Sequence, residues 1–183
     1  MYPKTETIHI DGVIPFKSKT QLIGESEVIL RGTVKAKLPS KWSNPNGEKG
    51  QGVPNIVQTD IVIAVDEIFK GTPYNNKDIV VRIDKGEIDK TKVVSDGYPD
   101  FTPGEEVVLF LAKDDGDLAN PNENYYVLKG MRQGKFTIAD KTNKKYSNGR
   151  DTILLSTFSE EIPRELENYK QLPKLSDPKQ YQP

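Results

Sequence analysis

The chain has 183 residues, the length of one ordinary domain, with hydrophobic residues at 34% and charged residues at 29%. A total of 26 basic and 27 acidic residues gives a net charge of -1, which argues against binding of nucleic acid or an anionic membrane through an overall field. The chain contains no cysteine and one histidine, His9, which excludes disulfides, cysteine-ligated zinc and thiol catalysis and argues against a Ser-His-Asp triad.

The N-terminal residues predict an arm rather than a core element. Residues 1–17 alternate only weakly in polarity and are expected to form an arm or a short edge strand. Residues 17–24 predict a short helix that ends at Gly24, because glycine is the residue most often found just after a helix.

Alternation of apolar and polar residues predicts a mainly β domain over 18–158. Gly32 interrupts the first strand and indicates a bend, a bulge or the close approach of another backbone. The strand at 106–112 is apolar on both faces and is expected to be the most buried. The predicted strands are 28–37, 55–69, 78–84, 106–112, 125–129 and 135–139.

The C-terminal part predicts one amphipathic helix and a tail. The helix is expected over 159–172, capped by Ser159 and carrying Ile162, Leu166 and Tyr169 on one stripe. Residues 173–183 are rich in proline, lysine and glutamine, a composition typical of disordered segments.

Strands joined by turns, with no alternation of strand and helix, favour an antiparallel fold. We expect an OB-like closed Greek-key barrel of about five or six strands, flanked by a short N-terminal and a C-terminal helix. A β-sandwich is the alternative.

Several stretches of the sequence occur in an order that points to a family. They are ESEVILRGTV, TDIVIAVDEIFKG, DIVVRIDKG, FTPGEEVVLFLAK and YYVLKGMRQGKFTI, which together span about residues 21–138. This order resembles a group of uncharacterised secreted or lipid-anchored bacterial domains with an OB-like barrel, similar in fold to netrin modules and tissue inhibitors of metalloproteinases. The resemblance implies an extracellular or envelope-anchored domain of a Gram-positive cell, a lipoprotein among the possibilities, whose leader has been removed. It does not carry over the inhibitors' zinc chelation, which uses an N-terminal cysteine that this chain lacks.

Taken without that resemblance, the sequence favours a cytoplasmic location. Met1 and Lys4 are followed by polar residues rather than by the apolar core of a signal peptide. No apolar run approaches the roughly 18 residues that a membrane-spanning helix needs.

Three loops carry the candidate binding residues. Trp42, Tyr98 and Phe101 lie in long connections and are candidates for an aromatic surface that contacts a partner, unless they pack over the domain's own core as a lid. Asp114, Asp115 and Asp117 form an oxygen-rich cluster that calcium could use, although the spacing of an EF-hand loop is absent and a solvated loop is the simpler interpretation.

These features favour a non-catalytic envelope or secreted domain that binds a protein or a glycan through long loops, with no cofactor and no nucleic acid. Two alternatives remain. One is an inhibitor or regulator of an extracellular protease, by analogy of fold. The other is a carbohydrate hydrolase that uses two carboxylates, although nothing in the spacing of the acidic residues selects a pair.

Overall fold

The computed structural model describes residues 4–44 and 55–174, and within them the protein is mainly β. Its elements in chain order are β1 (Glu6–Ile10), α1 (Lys19–Glu25), β2 (Val28–Lys37), β3 (Lys41–Trp42), β4 (Val57–Lys70), β5 (Asp78–Ile83), β6 (Gly86–Ile88), β7 (Thr91–Ser95), β8 (Glu106–Ala112), β9 (Val127–Leu128), a 3₁₀ turn (Met131–Gly134), β10 (Lys135–Asp140), β11 (Lys145–Ser147), β12 (Thr152–Leu154) and α2 (Leu155–Gln171).

The strands form two sheets. The large sheet has the order β12-β11-β10-β8-β2-β4-β3, with β5 paired to β4 and β9 paired to β8, and the small sheet has the order β1-β7-β6. The ladders leave the large sheet open, so the predicted closed barrel is not confirmed and the arrangement is sheet-like or sandwich-like. A single parallel bridge joins Val81 of β5 to Tyr126, which precedes β9.

The central strands follow the predicted pattern closely. β2 and β8 have the predicted bounds, and Val107 to Leu111 of β8 are all fully buried, as a strand that is apolar on both faces requires. At Gly32 the β2–β4 register shifts, and a Cβ atom there would lie 2.5 Å from Ile63 Cγ2 and 2.6 Å from Ala64 O. The expected bulge and close backbone approach are therefore both present.

The apolar residues form two cores, one on each face of the sheet. One contains residues such as Leu30, Ile63 and Leu109 from the strands, and the other lies beneath the two helices. In the second core Phe158 of α2 packs edge-on against Phe69, with ring centroids 4.9 Å apart. Ile29 of β2 also lies in this helix-covered core, whereas its neighbour Leu30 lies in the strand core. Both faces of β2 are therefore apolar at the start of the strand.

The C-terminal helix begins at Leu155, not at Ser159 as predicted, and it has no side-chain cap. Phe158, which precedes Ser159, is fully buried in the helix-covered core, so the apolar stripe of α2 begins earlier than predicted. Pro163 therefore lies in the helix interior. Proline has no backbone N–H, so the carbonyl of Ser159, four residues earlier, receives no helical hydrogen bond, and Ser159 is exposed.

Gly24 has a different role from the predicted one. It lies within α1, which continues to Glu25, and Ser26 is the C-cap. A Cβ atom on Gly24 would lie only 2.2 Å from Cγ of Tyr169 in α2. Glycine therefore permits the two helices to approach. The start of α1 is fixed by a capping box between Ser18 and Gln21.

The N-terminal arm contains the edge strand β1, which pairs in parallel with β7 and is exposed along its whole length. The strands β6 and β7 were not predicted, because residues 85–104 carry turn residues and little periodicity. Most of the tail predicted to be disordered lies outside the described residues. None of the helices in 4–44 and 55–174 is long and apolar enough to cross a membrane.

Candidate functional site

A pocket of about 350 Å³ opens between the loop that joins β8 to β9 and the connection that joins β4 to β5. We call it the tyrosine pocket, because three tyrosines line it. Its lining residues are Tyr74, Lys113, Asp114, Ala119, Asn120, Pro121, Glu123, Asn124, Tyr125 and Tyr126.

The ring of Tyr74 forms a fixed, half-exposed platform in this pocket. Tyr74 is 42% exposed and stacks on Tyr126, which is 4% exposed, with centroids 5.3 Å apart and planes inclined by 28°. The backbone N–H of Val80 donates to the Tyr74 hydroxyl over 2.6 Å, and the backbone N–H of Tyr74 donates to the Tyr126 hydroxyl over 3.1 Å. Burial raises the pKa of Tyr74, which keeps its hydroxyl neutral at ordinary pH.

Tyr125 holds the loop that forms the opposite wall. Its hydroxyl donates to Asp114 Oδ2 over 2.6 Å and accepts from the backbone N–H of Asn120 over 2.9 Å. The guanidinium carbon of Arg82 lies 3.8 Å from the centre of the Tyr125 ring, a cation–π contact. Burial and the hydrogen bond to Asp114 raise the pKa of Tyr125. The loop is thus anchored on strand β5 through Arg82.

An ion-pair network beneath the loop fixes Glu123 at the pocket rim. Arg82, only 3% exposed, donates to Asp60 Oδ1 over 2.7 Å and also to Glu123 Oε2. Lys41 Nζ lies 3.0 Å from Asp60 Oδ2 and 3.3 Å from Glu123 Oε2. The hydrogen bond from Arg82 lowers the pKa of Glu123, so this carboxylate is ionised at neutral pH.

Several polar groups of the pocket remain available to a ligand. Within the described ranges, the side chains of Lys113 and Asn124 make no hydrogen bond or ion pair, and Glu123 bonds through Oε2 alone. An ammonium, an amide and a carboxylate oxygen together can donate to and accept from hydroxyl groups. The pocket thus combines an aromatic face with polar groups of both kinds.

A larger groove, of about 740 Å³, runs between residues 37–40 and 85–94. None of the described residues that line it is aromatic, and Lys85 at its wall already pairs with Asp100 Oδ1 at 2.5 Å. It offers less than the tyrosine pocket for the recognition of a specific ligand.

The predicted aromatic surface changes in the structure. Phe101 is 4% exposed and belongs to the strand core, with Lys135 Nζ 4.5 Å from its ring centre, so it is removed from the candidate surface. Tyr98 packs against the same core and donates from its hydroxyl to Asp84 Oδ2 over 2.8 Å. Trp42 is partly buried on β3, where it pairs with Val57. The lid interpretation thus fits Phe101 and Tyr98.

The predicted calcium residues are not gathered into a ligand set. Asp114 Oδ2 accepts from Tyr125 and Oδ1 from the backbone N–H of Gly116 over 3.1 Å, whereas Asp115 and Asp117 are exposed. Across the two described ranges, no group of three or more histidine or acidic side chains is placed to hold a metal ion.

Asp60, Asp66 and Glu67, three acidic side chains of β4, each lie beside a basic side chain. Burial alone would raise the pKa of Asp60, but hydrogen bonds from Arg82 and Lys41 outweigh it and lower that pKa. Arg31 lies within 3.8 Å of Asp66 and 3.4 Å of Glu67. In the pocket itself, Arg82 holds Glu123 ionised.

Sequence reasoning missed the tyrosine pocket. Tyr74 follows a turn proline and Tyr125-Tyr126 starts a predicted strand, and the sequence analysis did not consider any of the three as part of a site. The sequence does show an asparagine-rich loop directly before the tyrosine pair Tyr125-Tyr126, which could have indicated a site. Tyr74 comes to lie beside this pair through the bridge between β5 and Tyr126, which the sequence does not reveal.

No family model matches the sequence, and no curated protein matches it.

Proposed function

We propose that the protein is a non-catalytic binding domain whose tyrosine pocket recognises a neutral oligosaccharide. The observation that carries this proposal is the half-exposed ring of Tyr74, held in place by Tyr126 beneath it and by two hydrogen bonds. A ring fixed in this way loses little freedom when a ligand covers it.

A sugar matches the chemistry of the pocket. The C–H groups on one face of a pyranose ring pack against the negative face of an aromatic ring, and its hydroxyls need donors and acceptors around the rim. Asn124, Lys113 and Glu123 supply these groups beside Tyr74. The two carboxylates, Asp114 and Glu123, outnumber the single lysine, which disfavours acidic sugars.

The ionised state of Glu123 supports binding without hydrolysis. A glycosidase needs a carboxylic acid that keeps its proton near neutral pH, and the lowered pKa of Glu123 is the opposite of that requirement.

We further infer that the large sheet closes into the OB-like barrel expected from the sequence. The backbone N–H of Arg82 donates to Tyr126 O over 2.8 Å, and the backbone N–H of Tyr126 donates to Val80 O over 2.8 Å. These bonds support a ring in the order β2-β4-β5-β9-β8. Such a barrel, with the resemblance to secreted bacterial domains, favours an extracellular or envelope location, where glycans are abundant ligands.

The proposal is tested by binding the labelled chain to a printed array of neutral, amino and acidic oligosaccharides, followed by titration of the strongest neutral hit. Tyr74→Ala should weaken binding about tenfold, because it removes the stacking ring. Tyr74→Phe keeps the ring and its stacking on Tyr126 but loses the hydrogen bond from Val80, so it should bind more tightly than Tyr74→Ala.

Phe16→Ala is the matched control, since Phe16 is a 57% exposed ring in the N-terminal arm, outside the tyrosine pocket. Its binding should not change. Preference for acidic sugars, full binding by Tyr74→Ala, or no binding to any array member would contradict the proposal.

A further inference from the structure

A second pocket, of about 320 Å³, lies beneath the N-terminal arm and shares no residue with the tyrosine pocket. We call it the Asp84 pocket. Its walls are mostly apolar and come from parts of the chain that are distant in sequence. They include Ile10, Ile14, Ile56, Tyr98 and Met131.

Asp84 is the acidic residue that lines this pocket, and the two groups that donate hydrogen bonds to its carboxylate are neutral. Its Oδ1 accepts from Gln58 Nε2 over 2.8 Å and its Oδ2 accepts from the Tyr98 hydroxyl over 2.8 Å. Both donors are neutral, and among the described residues no lysine, arginine or histidine nitrogen lies within 4.0 Å of Asp84. The adjacent Lys85 is directed to Asp100 instead.

A partly buried carboxylate without a counter-ion attracts cations more strongly than an exposed one, because water screens it less. Each oxygen of Asp84 accepts one hydrogen bond from the protein, whereas a carboxylate can accept about four in total. Asp84 can therefore still accept hydrogen bonds from a ligand. The hydroxyl of Tyr98 is neutral, so it does not cancel the charge of Asp84. Burial raises the pKa of Tyr98, which keeps this hydroxyl neutral at pH 7.

The backbone conformation of Met131, which lines the pocket, is one often found at ligand-binding sites. Met131 has φ of 55°, which few residues other than glycine adopt, and strain of this kind concentrates at ligand sites. Its side chain lies across Gly97, where a Cβ atom would be 2.4 Å from Met131 Cε. The pocket wall thus depends on an unfavourable backbone conformation and on a glycine that makes room for the methionine.

We propose that the Asp84 pocket binds a small organic ammonium ion, a primary amine carried on a short apolar or aromatic group. The ammonium donates to Asp84 and neutralises it, and the hydrocarbon part packs against the apolar walls. Anions are repelled by the same carboxylate. A neutral molecule of equal shape gains the apolar contacts but not the charge-assisted hydrogen bond. This site is independent of the proposed sugar site.

The test is a titration of the ¹⁵N-labelled full chain at pH 7 with phenethylamine and, separately, with 2-phenylethanol, which replaces the ammonium by a hydroxyl. The amine should cause saturable shifts of the Gly12 and Gly97 amide signals, since both residues line the pocket. The alcohol should bind at least about tenfold more weakly, the size expected for a charge-assisted hydrogen bond.

Asp84→Asn should reduce the affinity for the amine about tenfold and leave that for the alcohol unchanged. Asp96→Asn is the matched control: it removes the same charge from an exposed residue that does not line the pocket, and amine binding should persist. Equal binding of amine and alcohol to the unmodified chain, or no binding of either, overturns the proposal without any variant. Full amine binding by a folded Asp84→Asn chain also overturns it.

Discussion

Arg82 is the side chain that connects the core of the protein to its candidate site. It is 3% exposed, yet it bonds to Asp60 and Glu123 and covers one face of the Tyr125 ring. Burial alone would lower the pKa of Arg82, but the two carboxylates raise it overall, so its charge is permanent. A buried charge is tolerated only with such partners, and each partner becomes costly to remove.

Asp60→Asn should lower the free energy of unfolding by about 2 kcal/mol at pH 7, because Arg82 loses one of its two carboxylates. The folded-state pKa of Asp60 lies below its ordinary value of 3.8. Its contribution is therefore present above that value and is lost as the pH falls through the folded-state pKa. Urea unfolding at pH 7 and pH 3 should show a difference between unmodified chain and variant that shrinks at pH 3.

Asp78→Asn serves as the control for this pair of measurements. Asp78 lies on β5, the strand that carries Arg82, but its ion pair with Lys35 is between side chains that are 40% and 56% exposed. Such a surface pair contributes about 0.5 kcal/mol or less. An Asp60 effect that is the same at both pH values would contradict the pKa argument.

The two helices are held together by a contact that requires glycine. α1 has seven residues, which is too short to be stable alone, and it is fixed by its capping box and by packing against α2. Tyr169 of α2 lies over Gly24, and Thr20 of α1 donates to Glu165 of α2. The helix pair is thus one unit that covers the second core.

Gly24→Ala should destabilise the protein by about 1–3 kcal/mol, although alanine is the better helix former, because its Cβ overlaps the Tyr169 ring. Adding Tyr169→Ala removes the overlap. The double variant should therefore be no less stable than the single variant Tyr169→Ala. Thermal unfolding of all four chains measures this coupling.

Gly12→Ala is the control for the helix experiment, since no atom of the described residues lies within 4 Å of a Cβ atom there. Its unfolding temperature should be unchanged. Equal effects of alanine at position 24 with and without the Tyr169 ring would show that the two residues do not interact.

Closure of the large sheet depends on one junction. Between β5 and Tyr126 there are two backbone hydrogen bonds, and they decide whether the large sheet is a closed ring or an open sheet. The tyrosine pocket depends on the same junction, because Tyr74 precedes β5 and rests on Tyr126.

Amide hydrogen exchange tests this closure. If the barrel is closed in solution, the N–H groups of Arg82 and Tyr126 should exchange as slowly as those of β2 and β8, because they open only with the core. The amide of Asp115, in the exposed loop, provides the fast reference. Fast exchange of both Arg82 and Tyr126 would favour an open sheet or a sandwich.

Local pattern was sufficient for the central strands, and tertiary contacts decided the rest. Residues 28–37 and 106–112 alternate or are continuously apolar, so their bounds and burial follow from the period of a strand alone. The start of α2 was missed because burial of Phe158 depends on Phe69, which is distant in sequence. Tertiary contacts also separate the loop aromatics, for which the sequence left a contact surface and a lid open: Phe101 lies in the core, whereas Tyr74 and Tyr125 line a pocket. Periodicity predicts which faces are apolar, but only the folded chain shows which distant residues meet there.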